Sequence, residues 1–281
     1  ILLSHTKIYY HKLININFHI LKEISVEVEM KYLIGDIGNT LTKFSLLNVN
    51  FKIIKSYNIT TEKINKNIYK LKFLKKIIKK DLNKVVLISS VVPTVFNKIK
   101  SHLKKNEYKV YEIKELNLNK IIKLRVDSSK KLGSDRIANA IGSYSEYRQN
   151  CIVIDFGTAT TFDVVKRPGI YDGGVITPGV SLSIKNLNQS TALLPVLTLK
   201  KTKKNYGKNT LDALNSGFIW GYQGLINNIV KKITSISKKN YKIILTGGYA
   251  SIFKNYISYP SIIDQNITIK GIIKIYKKTL I

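Results

Sequence analysis

Two rhythms of apolar residues run along the chain. Short apolar or alternating runs at residues 31–36, 41–47, 51–59, 85–89, 108–113, 151–154, 161–165 and 243–245 predict strands. Between them, residues 62–80 place Ile64, Ile68, Leu71, Leu74 and Ile78 along one face of a lysine-rich amphipathic helix. Further helices are predicted over residues 133–147, over residues 210–236, and from Pro93, which suits a first helical turn because it has no N–H to leave unpaired. Residues 173–181 (GGVITPGVS) read as a strand, a proline-glycine turn and a helix start. Strands alternating with helices in this way predict α/β layers.

Three of these strands end alike. Residues 151–162 (CIVIDFGTATTF) run from four apolar positions into Asp155, Gly157 and the hydroxyls of Thr158, Thr160 and Thr161. Residues 31–40 (KYLIGDIGNT) do the same with Asp36, Gly38 and Thr40, and residues 243–250 (IILTGGYA) supply a third glycine turn that opens a helix. Open α/β sheets bind ligands at the carboxyl ends of their strands, and glycine there lets backbone N–H groups approach an anion closely. One Asp-x-Gly is an ordinary turn. Two copies 119 residues apart, each followed by a returning strand, predict two related half-domains facing each other across a nucleotide, residues 30–148 and 149–281.

The 281 residues suffice for two domains with their own cores. No apolar run reaches the roughly 18 residues of a membrane-spanning helix, so a soluble protein is expected. The single cysteine, Cys151, falls inside a predicted buried strand, which excludes disulfides and cysteine-based zinc sites and points to a reducing cytoplasm. The formal charge of +30 raises a nucleic-acid reading. Against it, arginine, the residue suited to bidentate phosphate and base recognition, occurs only at Arg125, Arg136, Arg148 and Arg167. The lysines are spread among many Asn, Ile and Tyr, as in a composition drifted towards AT-rich codons, and are densest at residues 70–80 and 200–208.

Residues 1–29 precede the only methionine, Met30, which stands just ahead of the first strand; they are expected to be an upstream extension of the reading frame. Three of the four histidines lie there and His102 has no carboxylate motif nearby, so histidine catalysis is not expected. The acids are more telling. Only 17 are present, yet Asp36, Asp135, Asp155 and Asp163 stand beside glycine or threonine loops. Asp36 and Asp155 suit a hard cation held against phosphates. Asp135, next to Arg136 at a helix start, reads either as an ordinary acidic first-turn residue or as a general base with a cation beside it for an anionic substrate.

Eight motifs in order, DIGNT at Asp36, SSVVP at Ser89, LGSDRIANA at Leu132, DFGTATT at Asp155, GGVITPG at Gly173, TALLP at Thr191, GKNT at Gly207 and TGG at Thr246, resemble the type III pantothenate kinases. These belong to the acetate and sugar kinase, heat-shock 70 and actin-like superfamily. The likeness covers residues 30–281, and no Walker-type GxxxxGK[ST] loop competes with it. The resemblance implies two similar ribonuclease H-like lobes of actin-like ATPase type with a nucleotide cleft between them. It implies transfer of the ATP γ-phosphoryl group to pantothenate, giving 4'-phosphopantothenate in the first step of coenzyme A synthesis. By resemblance, Asp36, Ile37, Gly38, Asn39, Thr40, Leu41, Thr42 and Lys43 form the first ATP loop and Thr158 a further ATP contact. Gly133, Ser134, Asp135, Arg136 and Thr210 match substrate-binding positions, with Asp135 as the base and Arg136 as the partner of the substrate carboxylate. Asp155 matches the ligand of a monovalent cation, potassium or ammonium, used beside ATP and Mg2+. A homodimer with the substrate site near the interface is implied as well, with neither membrane nor nucleic acid as a partner.

The pattern departs from the family ahead of LGSDR. Val126 stands where the family has a tyrosine, and Ser128 and Ser129 replace an Asn-Pro pair, so a looser or differently capped substrate pocket is expected around Val126. Two other classes stay open: a related kinase of another small alcohol or acid, and a non-enzymatic regulatory or nucleic-acid-binding relative that uses the basic charge.

Overall fold

A computed structural model describes residues 30–66, 74, 77, 78, 81–201 and 205–281. The segment 1–29, the predicted helical positions Ile68 and Leu71, and parts of both lysine-dense stretches lie outside the described residues.

Two mixed sheets form the frame. In the first, β1 (Lys31–Ile37), β2 (Leu41–Leu47), β3 (Ile53–Thr60), β4 (Leu82–Ser90) and β5 (Lys109–Glu112) lie in the order β3-β2-β1-β4-β5. The second contains β6 (Lys123–Leu124), β7 (Cys151–Phe156), β8 (Ala159–Lys166), β9 (Ile170–Pro178), β10 (Lys242–Gly247) and β11 (Ser261–Ile263), in the order β11-β10-β7-β8-β9-β6. In each, three consecutive strands, β1–β3 and β7–β9, form an antiparallel meander, and two later strands add in parallel beyond the first of the three. The repeated sequence motif is therefore a repeated topology. The two-residue β6 extends the second sheet by pairing in parallel with β9.

Helices alternate with the sheets as α1 (Thr61–Lys66), α2 (Pro93–Lys104), α3 (Ser134–Tyr147), α4 (Val180–Gln189), α5 (Thr210–Ser237), α6 (Ala250–Phe253) and α7 (Ile267–Thr279). Pro93 begins α2 as its chemistry predicts. The period-two geometry of the strands assigns neighbouring residues to different cores. Leu33, Val86 and Ile88 face α2 through Val95, Ile99 and Leu103. Their neighbours Ile34 and Leu87 face a middle core, which Val153 and Ile244 enter from the second sheet and Ile137, Ile141, Ile272 and Ile275 fill from α3 and α7. Ile152, Ile154 and Leu245 face outward again, onto α4 and α5 through Val180, Ile184, Ile219 and Ile226. Five layers result, with α3 and α7 as the shared central one.

These two helices cross closely. A Cβ on Gly142 would lie 2.2 Å from the Ile267 carbonyl oxygen, and one on Gly271 would lie 1.9 Å from that of Ala138. Among the described residues, no helix is long and apolar enough to cross a membrane.

Candidate active site

The carboxyl ends of β1 and β7 meet at the cleft between the sheets. Asp36, on β1, has Lys43 of β2 and Ser89 of β4 as its lateral neighbours. Asp155 occupies the equivalent place on β7, between Thr161 of β8 and Thr246 of β10. Each aspartate is followed by a glycine that closes a tight turn: the Gly38 N–H donates to Leu41 O at 3.0 Å, and the Gly157 N–H to Ala159 O at 3.1 Å. Thr61, at the start of α1, braces the first turn from behind. Its hydroxyl donates to Gly38 O at 2.7 Å, and its N–H to Thr40 O at 3.0 Å.

The two turns face each other. Thr40 and Thr158 hydroxyls, 118 residues apart, are hydrogen-bonded at 2.9 Å across the cleft. A second cross-link runs from Lys43 Nζ to Asn266 Oδ1 at 3.2 Å, just ahead of α7. Two further glycines make room for the second turn. Gly179 backs against it so tightly that a Cβ would lie 2.1 Å from Thr158 O. Gly247, with φ at +84°, belongs to the third glycine turn and would put a Cβ 2.6 Å from Asp155 Oδ1. Here only glycine meets both the conformational and the steric demand.

Asp135 enters from the first turn of α3. Its Oδ1 accepts the Arg136 N–H at 2.7 Å, and Gly133 before it has no space for a Cβ, which would sit 2.5 Å from that oxygen. Ser134 is buried and donates to Glu112 at the end of β5, fixing how α3 begins. Electrostatics place Asp135 with the other acids. Burial and then Asp135 push Asp36 up to about 6, against the Ser89 hydroxyl and Lys43. Burial and then Asp135 push Asp155 up to about 7, with Asp163 and Asp36 adding to the effect. Asp135 is itself raised by burial, opposed chiefly by Arg136. Four carboxylates from β1, α3, β7 and β8 thus share one field, although 127 residues separate the first from the last. Desolvation plus mutual repulsion is the arrangement that a cation or a proton relieves.

Of the remaining predicted positions, Ile37 is fully buried in the core and Thr42 is bonded through its hydroxyl to Thr61 at 3.0 Å, so both contribute backbone at most. Asn39, Thr40 and Leu41 are exposed on the first turn. Val126 packs against the middle core. Thr210 starts α5 behind its cap Asn209 and lines an apolar groove with Pro178, Leu187, Leu214 and Phe218; among the described residues, no hydrogen bond joins it to the acidic cleft.

Sequence reasoning passed over the residues that support these acids. Asn139 is one helical turn beyond Asp135, so its place on the same face of LGSDRIANA was a usable signal. Its amide donates to Asp155 Oδ2 at 3.4 Å and accepts from the Thr268 hydroxyl at 2.7 Å. Tyr171 and Thr268 carried no such signal, because strand register and helix packing bring them in. The donor set fits metal chemistry of one kind. Among the described residues no three His, Cys, Asp or Glu side chains gather to cage an ion, whereas paired carboxylates beside anion-binding turns fit a hard cation shared with phosphate oxygens and water.

A model of the type III pantothenate kinase family matches residues 32–232. The type III pantothenate kinase of Pelagibacter ubique is 47% identical over 244 residues, 86% of this chain and 97% of that protein. Two solved structures share the fold. A protein of Campylobacter jejuni described as a Baf family transcriptional activator superposes with a TM-score of 0.56 at 22% identity, covering 88% of this chain and 98% of that one. A Sinorhizobium meliloti protein described as a 2-dehydro-3-deoxygalactonokinase does so with a TM-score of 0.57 at 8% identity, covering the same shares.

Proposed function

The chain belongs to the type III pantothenate kinase family, and on that footing we propose how its cleft transfers the γ-phosphoryl group of ATP to pantothenate, giving 4'-phosphopantothenate at the start of coenzyme A synthesis. The observation that carries this reading is the convergence of Asp36, Asp135 and Asp155 on one cleft whose two glycine turns touch through Thr40 and Thr158.

Phosphoryl transfer asks a protein mainly to position its reactants and neutralise charge. The turn from Asp36 to Lys43 and the hydroxyl of Thr158 hold the ATP phosphates, through backbone N–H groups, the Thr40 hydroxyl and the Lys43 ammonium. Asp36 would hold the divalent cation that accompanies ATP, and Asp155 a monovalent one, potassium or ammonium. When bound, these ions would supply charge neutralisation at the phosphate oxygens. Asp135 accepts the proton of the attacking hydroxyl. Burial raises this carboxyl above the ordinary carboxylate range and makes it a stronger base, and the Arg136 N–H fixes one of its oxygens. Arg136 pairs with the pantothenate carboxylate, Gly133 and Ser134 shape the approach of the chain into α3, and Val126 lies at the pocket margin.

We also read the chain as one half of a homodimer in a reducing cytoplasm. The groove of about 630 Å³ between α4 and α5 is almost wholly apolar. Around it Leu182, Leu193, Val196, Leu211 and Trp220 are exposed, Leu193 by 91%. Gly217, Gly221 and Gly224 turn an open stripe of α5 outward, with nothing within 4 Å of where a Cβ would be. Such a face suits close packing against a second copy, and Thr210 at its edge would then complete a substrate site at the interface.

The test is ATP consumption with pantothenate, magnesium and potassium, comparing the wild-type protein with its Asp135→Asn variant. We expect pantothenate-dependent turnover that the variant loses by about 10²-fold or more. A folded wild type without such turnover refutes the reading, and turnover with another small alcohol or acid instead would redirect it.

A further inference from the structure

Asp163 is the acid of the cleft that the assignments above leave unused. It sits on β8, has no exposed surface, and meets Arg136, whose Nε donates to its Oδ1 at 2.6 Å. The Tyr171 hydroxyl, from β9, donates to the same oxygen at 3.0 Å. The guanidinium also lies over the Tyr171 ring, 5.9 Å from its centroid. On the other side, Gly174 leaves just enough room: a Cβ there would lie 2.5 Å from Arg136 Nη2 and 2.0 Å from Phe162 O.

We propose that Asp163 and Tyr171, with the space left by Gly174, form a socket that sets the Arg136 guanidinium for the substrate carboxylate, which makes them positioning residues for substrate binding. The inference rests on the reading of Arg136 given above and adds what holds that arginine and how. A buried ion pair is seldom retained for stability, since apolar residues of the same volume usually do as well. This one is not optimised for itself either. Fork-to-fork pairing would use both carboxylate oxygens and two guanidinium nitrogens. Here the contact runs through Nε and Oδ1, while Arg136 Nη2 and Asp163 Oδ2 are both buried without a hydrogen-bond partner. Leaving such atoms unpaired costs free energy, so the orientation is imposed by the surroundings. Tyr171 engages the oxygen that Nε uses, and its ring and Gly174 flank the guanidinium. The Nη end is kept out of the pair; Nη2 is buried beside Gly174, which leaves Nη1, on the partly exposed side of the guanidinium, as the nitrogen for an anion.

Steady-state kinetics of Tyr171→Phe and Asp163→Asn, with pantothenate and with an uncharged amide analogue that keeps the reacting alcohol, test the socket. Tyr171→Phe keeps the ring and removes one hydrogen bond. It should raise the KM for pantothenate about ten-fold while kcat and the KM for ATP move by less than about two-fold. Asp163→Asn should act in the same sense and more strongly. Neither should weaken the amide analogue further, because it presents no charge to Arg136. A fall in kcat at unchanged pantothenate KM, or an equal loss with acid and amide, would overturn the proposal. Should Asp163→Asn fail to fold, Tyr171→Phe decides alone. Failure of the substrate assignment is told apart from failure of the socket, because it shows in the wild type before any substitution is made.

Discussion

At the scale of single residues the cleft works through carboxyls that burial has pushed upward. On the proposed assignment, Asp36 near 6, Asp155 near 7 and a raised Asp135 must all be ionised to hold cations and accept a proton. The acid limb of kcat/KM should accordingly lie above the ordinary carboxylate range, with activity rising as pH passes from about 5 to 7. Raising the magnesium concentration should move the limb to lower pH, since a bound cation favours the ionised forms. A pH profile at two magnesium concentrations checks both statements, and a limb at the ordinary aspartate value would contradict them. Thr158→Val should raise the KM for ATP by about three- to ten-fold with little change for pantothenate, because it removes a hydroxyl facing Thr40 at the first turn. The acids were legible in the sequence because each stands next to a glycine or threonine motif at a strand end or helix start. Tyr171 and Thr268 were not, since what makes them matter is register between β8 and β9 and the seating of α7 on α3, whereas Asn139 stands one helical turn beyond Asp135 and could have been read from that spacing.

Among whole elements, the same substitution should act oppositely on two helices. On α7, Gly271→Ala drives a methyl group to 1.9 Å from the Ala138 carbonyl of α3, so the helices must part and the middle core must open. We expect a loss of about 1–3 kcal/mol in denaturant unfolding. On α5, Gly217→Ala meets nothing in the single chain, and replacing a mid-helix glycine should stabilise the monomer by about 0.5–1 kcal/mol. If α5 packs against a second copy, that gain should come with weaker association, readable by sedentation velocity over a dilution series. Stabilisation without any change in association would remove α5 from the interface. The strands of both meanders could be read from their apolar runs or alternation, and α5 from its length. The last helix, ITIKGIIKIYKKT, escaped because its isoleucines, threonines and tyrosine favour strands, and packing on α3 overrides that local preference. β6, of two residues, and β11, of three, are too short to carry a periodic signal; they form because an edge of the second sheet is open to them.

For the molecule as a whole, local burial outweighs net charge. A chain of +30 should favour ionised carboxylates everywhere, but screening limits that influence to a Debye length of about 8 Å. Inside the cleft, desolvation wins, and Asp36, Asp155 and Asp163 all move up. The sign of the consequence follows from proton counts. Below about pH 4 these carboxyls hold protons in the folded and unfolded chains alike. Between there and their folded values, 6 to 7, the folded chain keeps protons that the unfolded chain has released. Stability therefore falls as pH rises through this window and is lowest, for these groups, above it. Asp155→Asn abolishes its share of the loss while preserving shape. In the absence of nucleotide and added cations, the variant should be more stable than the wild type by about 4 kcal/mol at pH 8, and the gap should shrink to about 1 kcal/mol at pH 4.5. Saturating Mg-ATP with potassium should narrow it at pH 8, because the monovalent cation assigned to Asp155 binds the folded wild type more tightly than the variant and restores part of what repulsion removes. Urea unfolding at the two pH values, with and without Mg-ATP and potassium, measures all three differences. A variant less stable than the wild type at pH 8 would mean that Asp155 is held by bonds that outweigh its desolvation, and that the cleft stores no charge strain for a cation to relieve.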